Sequence, residues 1–201
     1  MKILALELSS ARGSLAWRDG DAVLAREWAN DRKHSGEFFH NLSEVQKRFG
    51  LPERIVVGLG PGSYAGTRIA ISAAIGLQFA SKAALFGLSS LCALECAAPE
   101  YAVVGDARRQ TFFLAQVRNT ILSAPPELQT EAELRRVLDG LRARMPIFAV
   151  EDLPQFEGVS VCYPSAEILA RLAQDANRTF VLPPLEPMYL REPHITTPKR
   201  K

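Results

Sequence analysis

The chain has 201 residues, 47% of them hydrophobic and 23% charged, with a net charge of +2, the composition of a globular protein long enough for one large or two small domains with a real core. The near-neutral balance gives no electrostatic reason to expect a nucleic-acid or membrane surface. No apolar run reaches the about 18–20 residues of a spanning helix, and residues 1–17 lack the pattern of a signal peptide, so a cytoplasmic location is expected.

Residues 3–8, Ile-Leu-Ala-Leu-Glu-Leu, read as a buried strand interrupted by one acid, Glu7. Ser9 to Gly13 is turn chemistry, Ser14 to Arg18 a returning strand, Asp19-Gly20-Asp21 a second turn and Ala22 to Trp28 a third strand, together an antiparallel meander. An acid that closes a first strand ahead of a Ser/Gly-rich hairpin is a place for a phosphate and its metal. It is also an ordinary place for an acid that caps a turn or faces solvent. Ser35 reads as the cap of a helix running to Phe49, with Phe38, Leu42, Val45 and Phe49 on one stripe and Gly50 and Pro52 as its stop. His34 and His40 share no helix face, so no metal pair is expected of them.

Ile55 to Val57 forms a second buried strand, followed by a loop carrying Gly58, Gly60, Pro61 and Gly62. Glycines let this backbone turn sharply or approach another group closely, and the proline gives it shape. Ser63 is the expected cap of a helix to about Ala80 that is apolar nearly all round. Gly66, Ala70, Ala73, Leu77 and Ala80 share one stripe, which admits another helix closely, and such a helix needs cover on more than one side. The loop lacks the lysine of a phosphate-cradling Walker loop, and neither Gly58 nor Gly60 starts a complete G-x-G-x-x-G. A tight strand-to-helix turn without any ligand accounts for it equally well. Ala84 to Gly87 fits one more strand, and Ser89 or Ser90 caps a helix to about Ala97 that carries Cys92 and Cys96 as buried thiols. With Cys162 these form neither a metal-type cluster nor a disulfide framework.

Near residue 98 the character changes, since eleven of the 13 prolines lie at 99 or later. Tyr101 to Gly105 and Thr111 to Val117 read as an antiparallel pair around Asp106-Ala107-Arg108-Arg109, and 118–130 as a connection. Glu131 to Arg144 reads as a helix with Leu134, Val137, Leu138 and Leu141 inward, Pro146 to Val150 as a strand, Ser165 to Asn177 as a second helix, and Pro183 to Arg191 as extended chain. The pattern predicts two α/β lobes: an N-terminal lobe over 1–98, a shortened C-terminal lobe over 99–192, and a disordered basic tail over 193–201 ending Lys199-Arg200-Lys201.

Ile3-Leu-Ala-Leu-Glu-Leu-Ser-Ser10 with Gly13-Ser-Leu-Ala-Trp17 resembles the first hairpin of the actin/Hsp70/sugar-kinase superfamily. Gly60-Pro-Gly-Ser-Tyr-Ala-Gly-Thr-Arg68 is similar to the G-P-G-S-F-T-G-L-R signature of the TsaB (YeaZ) family. Arg32-Lys-His-Ser35, Asp106-Ala-Arg108 and Pro187-Met-Tyr-Leu-Arg191 fall in the family's order. The departures are Glu7 where the family usually has Asp, Tyr64-Ala65 for Phe-Thr, and Thr67 for Leu. The resemblance implies a two-lobed actin/Hsp70-like (ribonuclease H-like) α/β fold. It implies a non-catalytic subunit that pairs with its paralogue TsaD, works with the ATPase TsaE, and supports threonylcarbamoyl transfer to adenosine 37 of tRNAs reading ANN codons. The pairing surface it implies is a bundle of the two N-lobe helices, also used for a homodimer when the partner is absent. On the stripes above, that surface is Phe38, Leu42 and Val45 with Gly66, Ala70, Ala73 and Leu77. tRNA is expected to be met only through the complex. No tightly bound cofactor is expected, with ATP or ADP a candidate only at the surface between subunits.

The residues themselves agree with a chain that does no chemistry, for they show no ligand-spaced His/Asp/Glu cluster and no nucleophile–base pair. The alternative is a working ATPase or phosphotransferase with Glu7, Ser9, Ser10, Gly60, Gly62 and Ser63 around the phosphates. A dedicated nucleic-acid module is disfavoured by the charge and by the lack of clustered basic and aromatic residues.

Overall fold

In the computed structural model, which describes residues 1–30 and 35–190, the first three strands form the expected meander: β1 (Lys2–Glu7), β2 (Arg12–Asp19) and β3 (Ala22–Ala29). Helix α1 (Ser35–Phe49) leads to β4 (Arg54–Gly58), helix α2 (Tyr64–Ser81) and β5 (Ala84–Leu88). β4 lies parallel to β1 and β5 parallel to β4, giving the order β3-β2-β1-β4-β5. β1 and β4 are apolar almost throughout because both faces of this sheet are covered. Leu4, Leu6, Ile55 and Val57 pack in the core that takes in residues of α1 and α2, while Ile3, Ala5 and Val56 face an opposite core.

The second sheet is built from β6 (Glu100–Asp106), β7 (Thr111–Arg118), β8 (Ile121–Leu122), β9 (Glu127–Thr130), β10 (Ile147–Ala149) and β11 (Val159–Val161), with α3 (Glu131–Leu141) between β9 and β10. Its order, β11-β10-β6-β7-β8 with β9 also on β7, repeats the path of the first sheet. In both, antiparallel strands lead through a helix to a fourth strand parallel to the first, and a fifth joins the fourth in parallel. The repeat is shortened in one place. Where the first sheet has α2 between its fourth and fifth strands, the second has residues 150–158 without a helix. This is the two-lobed α/β fold that the resemblance implied. The chain then returns, and α4 (Ala166–Leu172) lies on the first sheet against β1, β2 and β4.

Several expected elements change. The helix from Ser89 or Ser90 to Ala97 is one 3-10 turn, Ser90–Ala93, because both serine hydroxyls are engaged by the glycine loop and Leu94 bridges Pro164 as the chain crosses to the second lobe. Cys92 is buried and Cys96 half-buried, neither on an α-helix, and burial pushes the Cys92 thiol up to about 11. The two later helices end early, at Leu141 and Leu172, and the connection over 118–130 contains β8 and β9. Among the described residues no helix is long and apolar enough to cross a membrane. The basic tail, Arg32 to His34 and the capping side chain of Ser35 lie outside the described residues.

Candidate functional site

The glycine loop is held from three sides. Ser63 N–H donates to Ser9 O at 2.6 Å, which ties the loop to the β1–β2 turn. Gly60 N–H donates to Ser90 Oγ at 2.9 Å, and its carbonyl accepts from Ser89 Oγ at 3.1 Å and Ser90 N–H at 2.9 Å. Met188 N–H donates to Leu59 O at 2.7 Å, which brings in the C-terminal extended segment. Ser63 caps α2 as expected, its hydroxyl accepting from Gly66 N–H at 3.2 Å. Gly62 is required as glycine, since at φ 152° an added Cβ would lie 2.1 Å from Ser9 O.

Between the lobes this loop floors a cleft of about 780 Å³. Ser9, Ser10, Gly62 and Ser63 line it, with Asp106, Arg108 and Glu151 on the second-lobe side and Met188, Tyr189 and Tyr64 at its edge. Of the six residues expected around a phosphate, Glu7 and Gly60 are not at the cleft surface. Glu7 is fully buried beneath it, with Oε1 accepting from Ser9 N–H at 2.7 Å. Its Oε2 has no partner and lies against Gly58, where an added Cβ would stand 1.7 Å away. Burial holds its pKa above the usual carboxylate range against the pull of the Ser9 and Ser90 hydroxyls and the Ser9 N–H. A metal–phosphate group held by the first-strand acid therefore does not fit this cleft.

The edge of the cleft carries groups that the spacing of the sequence does not reveal. Tyr64 and Tyr189 pack at 5.4 Å between ring centroids, tilted by 48°. Arg68 lies 5.1 Å over the Tyr64 ring and donates from Nη1 to its hydroxyl at 3.0 Å. The neighbouring Tyr189 hydroxyl, with the Arg68 charge, draws Tyr64 below the usual phenol value, and the Tyr64 hydroxyl in turn holds Tyr189 above it. Opposite, Arg108, Arg109 and Gln110 hold three consecutive left-handed φ values of 66°, 56° and 59°. Asp106 stabilises this turn, accepting Arg108 N–H at Oδ1 (2.6 Å) and Arg108 Nη1 at Oδ2 (3.0 Å).

The expected pairing stripes are largely turned inward. Phe38, Leu42 and Val45 are buried beneath α1 in the chain's own core, as are Gly66 and Ala70 of α2. Gly66 is a close approach within the chain, since an added Cβ would lie 2.1 Å from Leu8 O. Ala73 and Leu77 are half-buried against that core. An apolar stripe shows that a face must be covered, and here the chain's own sheet covers it. The open face of α2 lies further round: Ser72, Gly76 and Ala80 are exposed, flanked by Ile75 and Phe79, the last 76% exposed.

Residues 31–129, just under half of the chain, match the model of the family TsaD, tRNA N6-adenosine threonylcarbamoyltransferase. In structure the chain is similar to an uncharacterized Pseudomonas aeruginosa protein with similarity to peptidase YeaZ, at 25% identity and a TM-score of 0.75, covering 94% of this chain and 99% of that one. It is likewise similar to YeaZ from Pseudomonas aeruginosa, at 23% identity and a TM-score of 0.72 over the same shares of the two chains. No curated protein matches in sequence. The likeness to the YeaZ (TsaB) family that the motifs implied is thus a likeness of nearly the whole chain in fold.

Proposed function

We propose that this YeaZ-like chain is a non-catalytic subunit, located in the cytoplasm, that pairs with a TsaD-type threonylcarbamoyltransferase and supports its modification of tRNA adenosine. The observation that carries this reading is the outward face of α2. A glycine in a helix interior costs about 1 kcal/mol relative to alanine, and an added Cβ on Gly76 would meet nothing within 4 Å. The free chain gains nothing from that glycine. A second helix crossing at Gly76, with Ser72 and Ala80 along the seam and Ile75 and Phe79 beside it, gains a close approach and cover for exposed apolar surface. The partner is the one that the family resemblance of the sequence implies, and a second copy of the chain occupies the same face when that partner is absent. TsaE joins through the complex, tRNA reaches it there, and ATP or ADP has its place at the subunit surface. The buried position of Glu7 speaks against the phosphotransferase reading.

Light-scattering mass on size exclusion tests this, with the chain alone and mixed with the TsaD-type protein of the same source. The expected result is a dimer alone that converts to a one-to-one pair, and loss of both in Gly76→Arg with the fold intact. A monomer indifferent to the partner, or a Gly76→Arg variant that still pairs, overturns the assignment.

A further inference from the structure

The described residues of the Pro187-Met-Tyr-Leu-Arg191 motif, up to Leu190, end a segment whose anchors alternate between the two sheets. The segment leaves α4 and first grips the second sheet. There Arg178 donates from Nη1 and Nη2 to Thr120 O, at 3.0 and 3.1 Å, in the turn between β7 and β8. It then crosses to the first sheet. Phe180 packs on Phe86 of β5 at 5.1 Å between ring centroids, and Val181 exchanges both backbone bonds with Gly87, at 2.8 and 2.9 Å. Pro183 and Pro184 bring no N–H donors, so the added pairing stops there. Leu185 turns into the core that takes in residues of α1 and α2, and Met188 N–H donates to Leu59 O. Tyr189 rests on Tyr64 in the first turn of α2. Leu190 returns to the second sheet, packing against the core of Tyr101, Val103, Phe113 and Val150 on the face away from α3.

The grips thus run second sheet, first sheet, second sheet, and β5 is built to receive the middle one. Gly87 stands in a strand interior, where a missing side chain weakens the strand and marks a close approach. An added Cβ there would lie 2.5 Å from Leu59 Cδ1 and 3.1 Å from Leu185 Cδ2, so its absence admits Leu185. A tail resting on the surface would need no such room. The two passages between the lobes, by contrast, run side by side. Leu94 bridges Pro164 and Glu95 N–H bonds Tyr163 O, so the passages alone would form a single hinge. The last anchors lie elsewhere, since Pro187 to Leu190 line the cleft and residues 94–96 and 162–165 do not. A tether set away from a hinge removes its swing.

We propose that residues 178–190 are a staple that holds the two lobes at one fixed angle, so that the cleft neither opens nor closes. Many two-lobed proteins work by hinge closure around a ligand. A stapled chain gives up that motion and keeps a constant outer surface. The inference does not rest on the pairing reading and stands on residues other than the α2 seam, so either can fail without the other.

The test measures the distance between two spin labels on the full chain. One is placed at Asp21→Cys, in the turn between β2 and β3, and one at Arg136→Cys on α3, both exposed, in a Cys96→Ser background. Cys92 and Cys162 are buried, and burial pushes both thiols up to about 11, so they take up label poorly. An excess of unlabelled chain removes distances between copies. The expected result is one narrow distance distribution. Arg178→Ala with Leu190→Ala releases both grips on the second sheet, and the distribution is expected to broaden and shift, with each single variant in between. A control pair within the first lobe, Asp21→Cys with Lys47→Cys, is expected to keep its distance throughout. If the double variant loses that control distance by failing to fold, the two single variants decide the same comparison. A broad distribution in the chain with its staple intact overturns the proposal. So does a narrow, unshifted one in variants that keep the control distance.

Discussion

At the end of β1, Glu7 accepts one hydrogen bond at Oε1 from Ser9 N–H, and its Oε2 has none, beside Gly58 and the Ser90 hydroxyl. A buried polar atom without a partner costs about 1–3 kcal/mol, and a buried charge is worse placed than a neutral acid. The folded pKa therefore lies above the ordinary value of 4.5. A carboxyl raised on folding contributes stability that is full below its unfolded pKa and is lost as pH rises through the folded value. Glu7→Gln removes the charge and lets an amide N–H reach Ser90 Oγ. The variant is expected to melt higher at pH 7, at about 2–4 °C for each kcal/mol in a chain of this size, and the gain should vanish below about pH 4. Thermal melts of both proteins from pH 3.5 to 8 decide it. A gain independent of pH, or a loss at pH 7, shows that Glu7 holds its charge through some other contact. Reading the sequence found this acid and its place at a strand end, but not which side of the floor it takes. That is settled by the absent side chain of Gly58, a residue 51 positions away.

Two glycines in α2 separate what the helix does within the chain from what it offers outside. Gly66 lies against Leu8 O, so Gly66→Ala must push the first turn of α2 off β1. It is expected to cost about 2 kcal/mol or more, in the range of overpacked cores. Gly76 has open space, so Gly76→Ala is expected to stabilise the free chain by about 1 kcal/mol through helix propensity and to weaken pairing, since a methyl group then stands in the seam. Chemical denaturation of both variants, with co-elution of the second and its partner, reads out the opposite signs. Two shifts of the same sign mean that α2 has no separate inner and outer face. The helix itself was legible from its cap at Ser63 and its apolar residues, and so was α1 from its heptad-like stripe. Their orientation was not, because periodicity sorts residues into faces without saying whether the chain or a partner covers each. On α2, apolar all round, even the inner face had no polar opposite to mark it.

The two lobes meet at Arg12, through both passages of the chain between them. On the outward passage Glu95 Oε2 lies 2.5 Å from Arg12 Nη2, and on the return Tyr163 lies under the guanidinium at 5.1 Å. The passages are themselves joined, Leu94 bridging Pro164 and Glu95 N–H donating to Tyr163 O at 3.0 Å. The two-lobed α/β fold was legible in the order of strands and helices, and the doubled strand order bears it out. The return of α4 to the first sheet was not legible, because an amphipathic helix carries no mark of which sheet it covers. That return makes the Arg12 joint possible, by bringing Tyr163 and Glu167 back beside Glu27 of β3. Burial pushes Glu95 up, but the Arg12 bond and charge outweigh it and, with Ser165, hold it below the usual range. Burial raises Glu27 against the pull of Arg12, and the nearby Glu95 and Glu167 charges add to the rise. A depressed carboxylate contributes stability that is present above its unfolded pKa and lost as pH falls through the folded one. Arg12→Ala removes this contribution and leaves Glu27, Glu95 and Glu167 facing one another. The joint is partly open to solvent, so the expected loss is about 1 kcal/mol at pH 7, read as about 2–4 °C in Tm. It should shrink toward pH 4 as the carboxylates take up protons, and shrink in high salt as their repulsion is screened. Melts of Arg12→Ala and Arg12→Lys at pH 4 and 7, with and without salt, check this. A deficit that is the same at both pH values assigns Arg12 to packing on Tyr163 and removes the electrostatic joint between the lobes.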